Sequence, residues 1–307
     1  MRDSERGESA GYCILCGSTS DPVVVHEANY VGRSCRCGIV YIDPCPDPAS
    51  VDATDDEHTD EYYELPAKVR LDWIARIRPK GRLLEVGCGW GHLIAGARRR
   101  GYQVAAIEPN PARARYVREV LGIDVEQAVI ETAQAPAVGF DIVYHVDLLS
   151  HFPDPARALR AMVSQLRPGG RLCFEVGIFG GLAVPWYRWI GRPGFPQHRW
   201  LYSEAALHEI LRRAGLRVER LKRFAILPAT IVSSIGVTLL GQPLGNAGPK
   251  ASRDHPARAN GVRRCYAWLQ YVLRYRLGGC LPPVGPQVFF VCAAPQGAPP
   301  WPTSATP

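Results

Sequence analysis

Three sets of side chains in this sequence have the types and spacing that chemistry needs. The first is Gly87, Gly89 and Gly91, alternate glycines that follow the apolar run Leu83-Leu84-Glu85-Val86. Glycine there lets the chain turn sharply and lets a ligand lie against bare backbone. Nineteen residues past Gly89, the next apolar run (Gln103 to Ile107) ends in Glu108. A carboxylate at that place accepts hydrogen bonds from both hydroxyls of an unphosphorylated ribose. A nicotinamide fingerprint needs its third glycine one place later, where His92 stands, and the Gly-Lys-Ser/Thr of a P-loop is absent.

The second set is Cys13-Ile-Leu-Cys16-Gly17 with Cys35-Arg-Cys37-Gly38. Two thiolates bracket a tight turn whose glycine lets backbone amides face the sulfurs. Four thiolates complete a closed tetrahedral zinc site of the structural kind, with no open position for an activated water. The second pair is spaced by one residue where two is usual, so His26 or Cys45 is an alternative ligand. The third set is His145 and Asp147 at the end of the run 140–147, His151 just beyond it, and His198 in the segment 178–202. Taking a proton from an alcohol or carbon acid needs a base with a pKa near neutrality, and each histidine is a candidate.

The elements that must hold these groups alternate. The rhythm predicts a lead-in helix over 67–78, a strand over 82–87, a helix over 91–100 and a strand over 103–107. Asn110-Pro111 then opens a helix, and strands follow near 123–127 and over 140–147. Asp154-Pro155 opens another helix, with Leu159, Met162, Val163 and Leu166 along one face, and a tight turn at 166–170 leads to a strand over 171–177. A helix capped by Ser203 and strands over 216–224 and 287–292 complete the pattern. Strands separated by helices imply a mostly parallel sheet.

Glu85, Gly87, Gly89 and Gly91 resemble the first motif of class I S-adenosylmethionine-dependent methyltransferases. Asp141-Ile-Val, His151-Phe-Pro-Asp-Pro155 and Leu166-Arg-Pro-Gly-Gly170 match that family's later motifs in order and distance. Together with the cysteine ribbon, Tyr41-Ile-Asp-Pro44 and Tyr62-Tyr63, they look like a bacterial group that carries a small N-terminal zinc module; the resemblance covers about residues 11–225. It implies an α/β, Rossmann-like seven-stranded sheet with an antiparallel last strand, a zinc ribbon in front and a helical insert before the last strand. It also implies that Glu85, Gly87, Cys88, Gly89, Gly91, Glu108, Pro109, Val129, Ile130, His145 and Tyr63 surround S-adenosyl-L-methionine. Cys13, Cys16, Cys35 and Cys37 would then hold zinc.

The expected organisation is a disordered 1–10, a ribbon over 11–50, a catalytic domain over 51–294 and a disordered proline-rich tail over 295–307. An acidic linker runs from Asp52 to Glu61. The main departure from the family is an insert of about sixty residues, 225–285. It holds an apolar segment from Phe224 to Leu240 and an amphipathic helix from Val262 to Leu277, with Cys265, Trp268, Leu269, Val272 and Leu273 inward. Segments 178–202 and 225–285 emerge at the ligand edge of the sheet and are expected to form the acceptor pocket and its lid. Trp186, Tyr187, Trp189, Trp200 and Tyr202 would give that lid an aromatic surface.

The chain of 307 residues is 47% hydrophobic and 21% charged, ordinary for a globular protein. Its net charge of +7 is mostly arginine, and the one tight basic run, Arg98 to Arg100, falls at a helix C-terminus, where it complements the helix dipole. No apolar run reaches the roughly 18 residues that span a bilayer, and Met1 to Ala10 is polar, so the expected location is cytoplasmic. Ten cysteines in a cytosolic chain point to metal rather than disulfides. The implied activity is methyl transfer to O, C or N of a small molecule, a natural product or sugar-like acceptor. An RNA methyltransferase gripping RNA with its ribbon and a non-catalytic cofactor-binding scaffold are the alternatives; the ribbon carries only Arg33 and Arg36, which argues against nucleic acid. Membrane contact by 225–240 is not expected.

Overall fold

The computed structural model describes residues 9–47, 60–187, 193–226, 229, 265, 268–281 and 285–299. The expectations for 1–8, for most of the acidic linker, for Trp189, for most of the apolar insert and for 300–307 lie outside the described residues.

Three short strands come first: β1 (Val23–Glu27), β2 (Tyr30–Ser34) and β3 (Ile39–Asp43), an antiparallel meander. Helix α1 (Asp60–Ile77) leads into the alternating region. There follow β4 (Arg82–Val86), α2 (His92–Arg99), β5 (Gln103–Ile107), α3 (Pro111–Glu119), β6 (Val125–Glu126) and β7 (Phe140–Val146). The second half is α4 (Pro155–Ser164), β8 (Leu166–Ile178), β9 (Trp200–Tyr202), α5 (Glu204–Arg213), β10 (Leu216–Ala225) and β11 (Gln287–Pro295).

Helix starts are set by local chemistry. Asn110 accepts from the Ala112 and Arg113 amides, Asp154 from Arg157 and Ser203 from Ala206, which satisfies donors that the helices leave unpaired. Pro111 and Pro155 occupy first-turn positions, where a missing N–H costs nothing.

Among the described residues the catalytic-type strands run in the order β6-β5-β4-β7-β8-β11-β10. β4, β5, β6, β7 and β8 are parallel neighbours, and β11 is antiparallel to both β8 and β10. This is the expected sheet, with its reversed strand last in the chain. α1, α2 and α3 cover one face through Leu71, Ile74, Leu93, Ile94 and Val117. α4 and α5 cover the other through Leu159, Met162, Leu207 and Ile210.

The structure departs from the sequence reading in several places. The N-terminal module is continuous with the sheet: β3 pairs with β9, and β9 reaches β8 at Tyr202 and Ile178. Cys13, Cys35, Ile39 and Tyr41 share one apolar cluster with Leu149, Trp200 and Tyr202. The end of the expected lid is therefore a buried strand. Trp200 donates to Phe152 O (2.8 Å), Tyr202 to Leu149 O (3.0 Å) and buried Tyr187 to Phe179 O (2.9 Å), so these aromatics are packing rather than a receptive surface.

Strand β8 begins at Leu166 instead of after the Arg-Pro-Gly-Gly turn, because Leu166 already pairs with Phe140 and the turn is absorbed as a register shift. In the insert, Cys265 and Trp268 are exposed while Tyr275 is buried against Phe224 and Phe290. A π-helical stretch over Val272–Leu277 widens the turn there and abandons the 3.6-residue period on which the expected face depended. Residues 295–299, expected in the disordered tail, are held: Arg171 donates to Pro299 O and Arg217 to Ala298 O. No helix among the described residues is long and apolar enough to cross a membrane.

Candidate active site

The C-terminal ends of β4, β5 and β7 meet at the glycine turn. The three glycines do different work there. A Cβ on Gly87 would meet Leu148 Cδ1 at 2.5 Å, and one on Gly91 would meet Leu121 Cδ1 at 2.6 Å. Gly89, at φ 55°, faces open space, with nothing within 4 Å of such an atom. Glycine is thus needed for close packing at two positions, and at the third its positive φ leaves bare backbone open to the space beside it.

Glu108 is buried beside that opening. Its Oε2 accepts from Gly89 N–H (2.8 Å) and its Oε1 from Asn110 N–H (3.0 Å). Each oxygen keeps lone-pair capacity for a ribose hydroxyl. Pro109 is exposed next to it. On the neighbouring loop Ile130 is buried, but Val129 is 48% exposed, an apolar surface next to the cradle's polar groups. Cys88 is buried with its thiol pushed up by desolvation, so it is neutral packing. Tyr63 lies in the first turn of α1, and the placement of its side chain lies outside the described set.

Glu85 stands next to this cradle with 4% exposure, and its Oε2 has no partner. Burial raises its pKa to about 8, against the pull of Arg70 and an N–H of Ile94. An unpaired buried carboxylate oxygen of this kind suits a cationic ligand group. Sequence reasoning missed the groups around it. Arg70 of α1 and Arg274 of the insert both reach Glu175 of β8, at 2.7 and 3.3 Å. Burial pushes the Glu175 carboxyl up, but the two guanidiniums outweigh it and hold it below its ordinary value. Isolated arginines on predicted helices carry no local signal, which is why the pattern did not show them.

The histidines separate sharply. His145 is fully buried, stacked on Phe174 (centroids 4.9 Å apart), and neither ring nitrogen has a partner. Desolvation lowers its pKa to about 3, so it is a neutral core imidazole and not a base at neutral pH. His151 is also lowered to about 3, first by burial and then by the positive potential of His198 and Arg199. His198 is half-buried and edge-on to His151 (4.6 Å), and its Nδ1 shares a 2.6 Å hydrogen bond with Ser150 Oγ. Asp147 closes the group. It sits in the left-handed region at φ 51°, unusual for a residue with a side chain, and accepts from Gly177 N–H (3.3 Å). Burial raises its pKa, while the charge of His198 pulls it down. Strained backbone at a strand end next to paired histidines is typical of functional sites.

Away from this edge, the sulfurs of Cys13, Cys16, Cys35 and Cys37 all lie within 4.8 Å of one another. Burial pushes the Cys13 thiol up, and Cys37 is raised to about 11, first by its hydrogen bond with Cys16. Cys16 is instead lowered to about 7, first by a backbone hydrogen bond with Ser18, and a bound metal would take all four sulfurs as thiolates. The Cys-x-Cys half therefore completes a four-sulfur set without His26 or Cys45. A cleft of about 460 Å³ between α1 and α2 is lined by Lys68, Trp90, Ala95, Arg99 and Tyr116. None of His145, Asp147, His151 and His198 lines it.

A family model described as a methyltransferase domain matches residues 57–221, more than half of the 307-residue chain. A ubiquinone biosynthesis O-methyltransferase of Xanthomonas axonopodis pv. citri (strain 306) is 36% identical over 167 residues, 49% of this chain and 70% of that protein. A protein with the same name from Xylella fastidiosa (strain 9a5c) is 34% identical over 170 residues, 49% of this chain and 68% of that one. Among solved structures, the [4+2]-cyclase SpnF aligns with a TM-score of 0.50 at 18% identity, covering 82% of this chain and 89% of that one, a likeness of fold alone. Sheet order, glycine cradle and matched region agree, and the chain belongs to the methyltransferase-domain family of the class I, S-adenosylmethionine-dependent kind.

Proposed function

We propose that this protein transfers a methyl group from S-adenosylmethionine to a hydroxyl oxygen of a small molecule, with His198 as general base. The observation that carries the reading is the meeting of His198, Ser150, His151 and Asp147 at the edge of the sheet that holds the glycine cradle. The printed names of the two relatives favour oxygen over carbon or nitrogen as the attacked atom.

The cradle's residues fit the nucleoside. Gly89 offers bare backbone, Glu108 takes the ribose hydroxyls, Val129 offers an apolar wall to the base, and Glu85 Oε2 takes the ammonium of the amino-acid tail. When bound, S-adenosylmethionine supplies an activated methyl on a sulfonium. The protein must then align the hydroxyl and take its proton. With Nδ1–H donating to Ser150 Oγ, the His198 Nε2 lone pair receives that proton, and Asp147 stabilises the imidazolium that forms. His151, held neutral, can donate or accept one hydrogen bond without competing for the proton. In the N-terminal module Cys13, Cys16, Cys35 and Cys37 hold a structural zinc.

The test is a reaction with cofactor labelled in the methyl group against a panel of phenols, catechols and sugars, read by mass spectrometry. A labelled oxygen ether that disappears in His198→Ala, with cofactor binding intact, supports the reading. No calorimetric heat with either S-adenosylmethionine or S-adenosylhomocysteine overturns it.

A further inference from the structure

We propose that Glu27, on the N-terminal module, is a positioning residue for His198, so that the module forms one wall of the methyl-acceptor site. This rests on the reading of His198 as the base.

Glu27 ends β1, and one of its oxygens, Oε2, accepts from both Gly194 N–H and Phe195 N–H, each at 2.8 Å. Two amides converging on one carboxylate oxygen make a charge-assisted clamp, stronger than a neutral pair. The clamped turn leads directly to the base. His198 N–H donates back to Gly194 O (3.1 Å), and the imidazole lies on Gly194, where an added Cβ would sit 2.6 Å from His198 Cδ2. Gly194 has φ 89°, so backbone conformation and contact with the ring both demand glycine there.

The next residue is fixed to the same module. Arg199 is 3% exposed, its Nη1 donates to Pro46 O (2.8 Å) and contacts Cys45 Sγ at 3.2 Å, and its carbonyl accepts from Ile42 N–H (3.1 Å). Its own N–H donates to Ser150 O (2.7 Å), and Ser150 Oγ holds His198 Nδ1. Strand pairing cannot replace Glu27, because β9 begins only at Trp200. Upstream of Arg199, among the described residues, Glu27 is the module's hydrogen-bonded hold on the turn that carries the imidazole, beside the apolar packing of Phe195 against Val40 and Ile42. Its removal frees the ring to move by a fraction of an ångström or more while the cofactor cradle, built on β4 and β5, stays in place.

A residue that merely stiffens the fold would change melting temperature and nothing specific at His198. The experiment therefore reads the imidazole. Protein labelled at histidine Cε1 is followed by NMR, with the His198 signal assigned by its loss in His198→Ala. In Glu27→Ala the His198 signal is expected to move and broaden, and Glu27→Asp is expected to bring it part of the way back. Affinity for S-adenosylhomocysteine should stay within about twofold. On whichever catechol or phenol serves as probe acceptor, kcat should fall about 10- to 100-fold at unchanged KM for the cofactor, the cost of a misplaced base. Should Glu27→Ala fail to fold, Glu27→Gln, which keeps shape and loses charge, decides by the same resonance. A His198 signal unmoved in the folded variants overturns the proposal. Full turnover by His198→Ala would instead overturn the reading of the base and leave the resonance test of Glu27 standing.

Discussion

Gly89 donates its backbone N–H to Glu108 Oε2 at 2.8 Å, joining the turn after β4 to the end of β5 across nineteen positions of sequence. That bond aims the carboxylate at the opening over which Gly89 has no neighbour. Gly89→Ala should therefore cost only about 1–2 kcal/mol of stability, the strain of a Cβ at positive φ. It should weaken S-adenosylhomocysteine binding by tenfold or more, because the methyl takes the ligand's place. Gly87→Ala, which drives a Cβ into Leu148, should show the opposite balance, with the larger loss in stability. Calorimetric titration and thermal melts on the two variants check the contrast.

Glu85 predicts a pH dependence. Its folded pKa of about 8 lies above its ordinary 4.5, so between those values the folded protein holds a proton that the unfolded chain has lost. Stability of the free protein should fall as pH rises through that window. A ligand ammonium against the orphaned Oε2 favours the ionised form and reverses the sign. The rise in Tm on adding S-adenosylhomocysteine should grow from about pH 6 to about pH 8.5, with proton release on binding near pH 7. Glu85→Gln should flatten both, as read by thermal shift and by calorimetry in buffers of different ionisation enthalpy.

Local rules made much of this molecule legible. The glycine turn and the caps at Asn110, Asp154 and Ser203 are each specified within a few residues, and each forms as expected. The missed groups depend on distant partners. Arg70 meets Glu175 across 105 positions and Glu27 meets Gly194 across 167, separations at which no short-range pattern exists. The three-residue β9, Trp-Leu-Tyr, is too short and too uniformly apolar to show the alternation of a half-buried strand, because it is covered on both sides. His145 illustrates the other limit. Its position at a strand end suggested chemistry, yet only packing against Phe174 reveals that its ring is sealed.

The cysteine cluster predicts a metal dependence of stability that spares cofactor binding. Gly38, next to Cys37, is wedged against Ser203: its carbonyl accepts Ser203 N–H (2.8 Å), and a Cβ would lie 2.1 Å from Ser203 Oγ. Ser203 caps α5, so loosening the four sulfurs loosens β3, β9 and that helix start. Purified protein should carry about one zinc per chain by elemental mass spectrometry. Chelation or Cys35→Ser should lower Tm by roughly 10 °C, a loss of several kcal/mol. Affinity for S-adenosylhomocysteine should change less than twofold in the protein that remains folded, since β9, β8 and β7 stand between the sulfurs and the cradle on β4.

The three histidines should respond differently to substitution, and pH separates them. His145 has a folded pKa of about 3 against an ordinary 6.5. Its contribution therefore turns against the fold as pH drops below about 6.5, where the unfolded chain takes up a proton that the buried ring refuses. His145→Phe removes that penalty together with two unpartnered ring nitrogens. The variant should match or exceed the parent by about 1–3 kcal/mol at pH 5 and by less at pH 8, with methyl transfer retained. His198→Ala should leave cofactor affinity and Tm nearly unchanged while lowering kcat by about 10²- to 10⁴-fold, the usual worth of a positioned base. His151→Phe should fall between, slowing turnover through its edge contact with His198 at 4.6 Å without abolishing it. Equal losses for His145→Phe and His198→Ala, at intact cofactor binding, would place the reacting atoms on the Phe174 side of the sheet and remove His198 from the role of base.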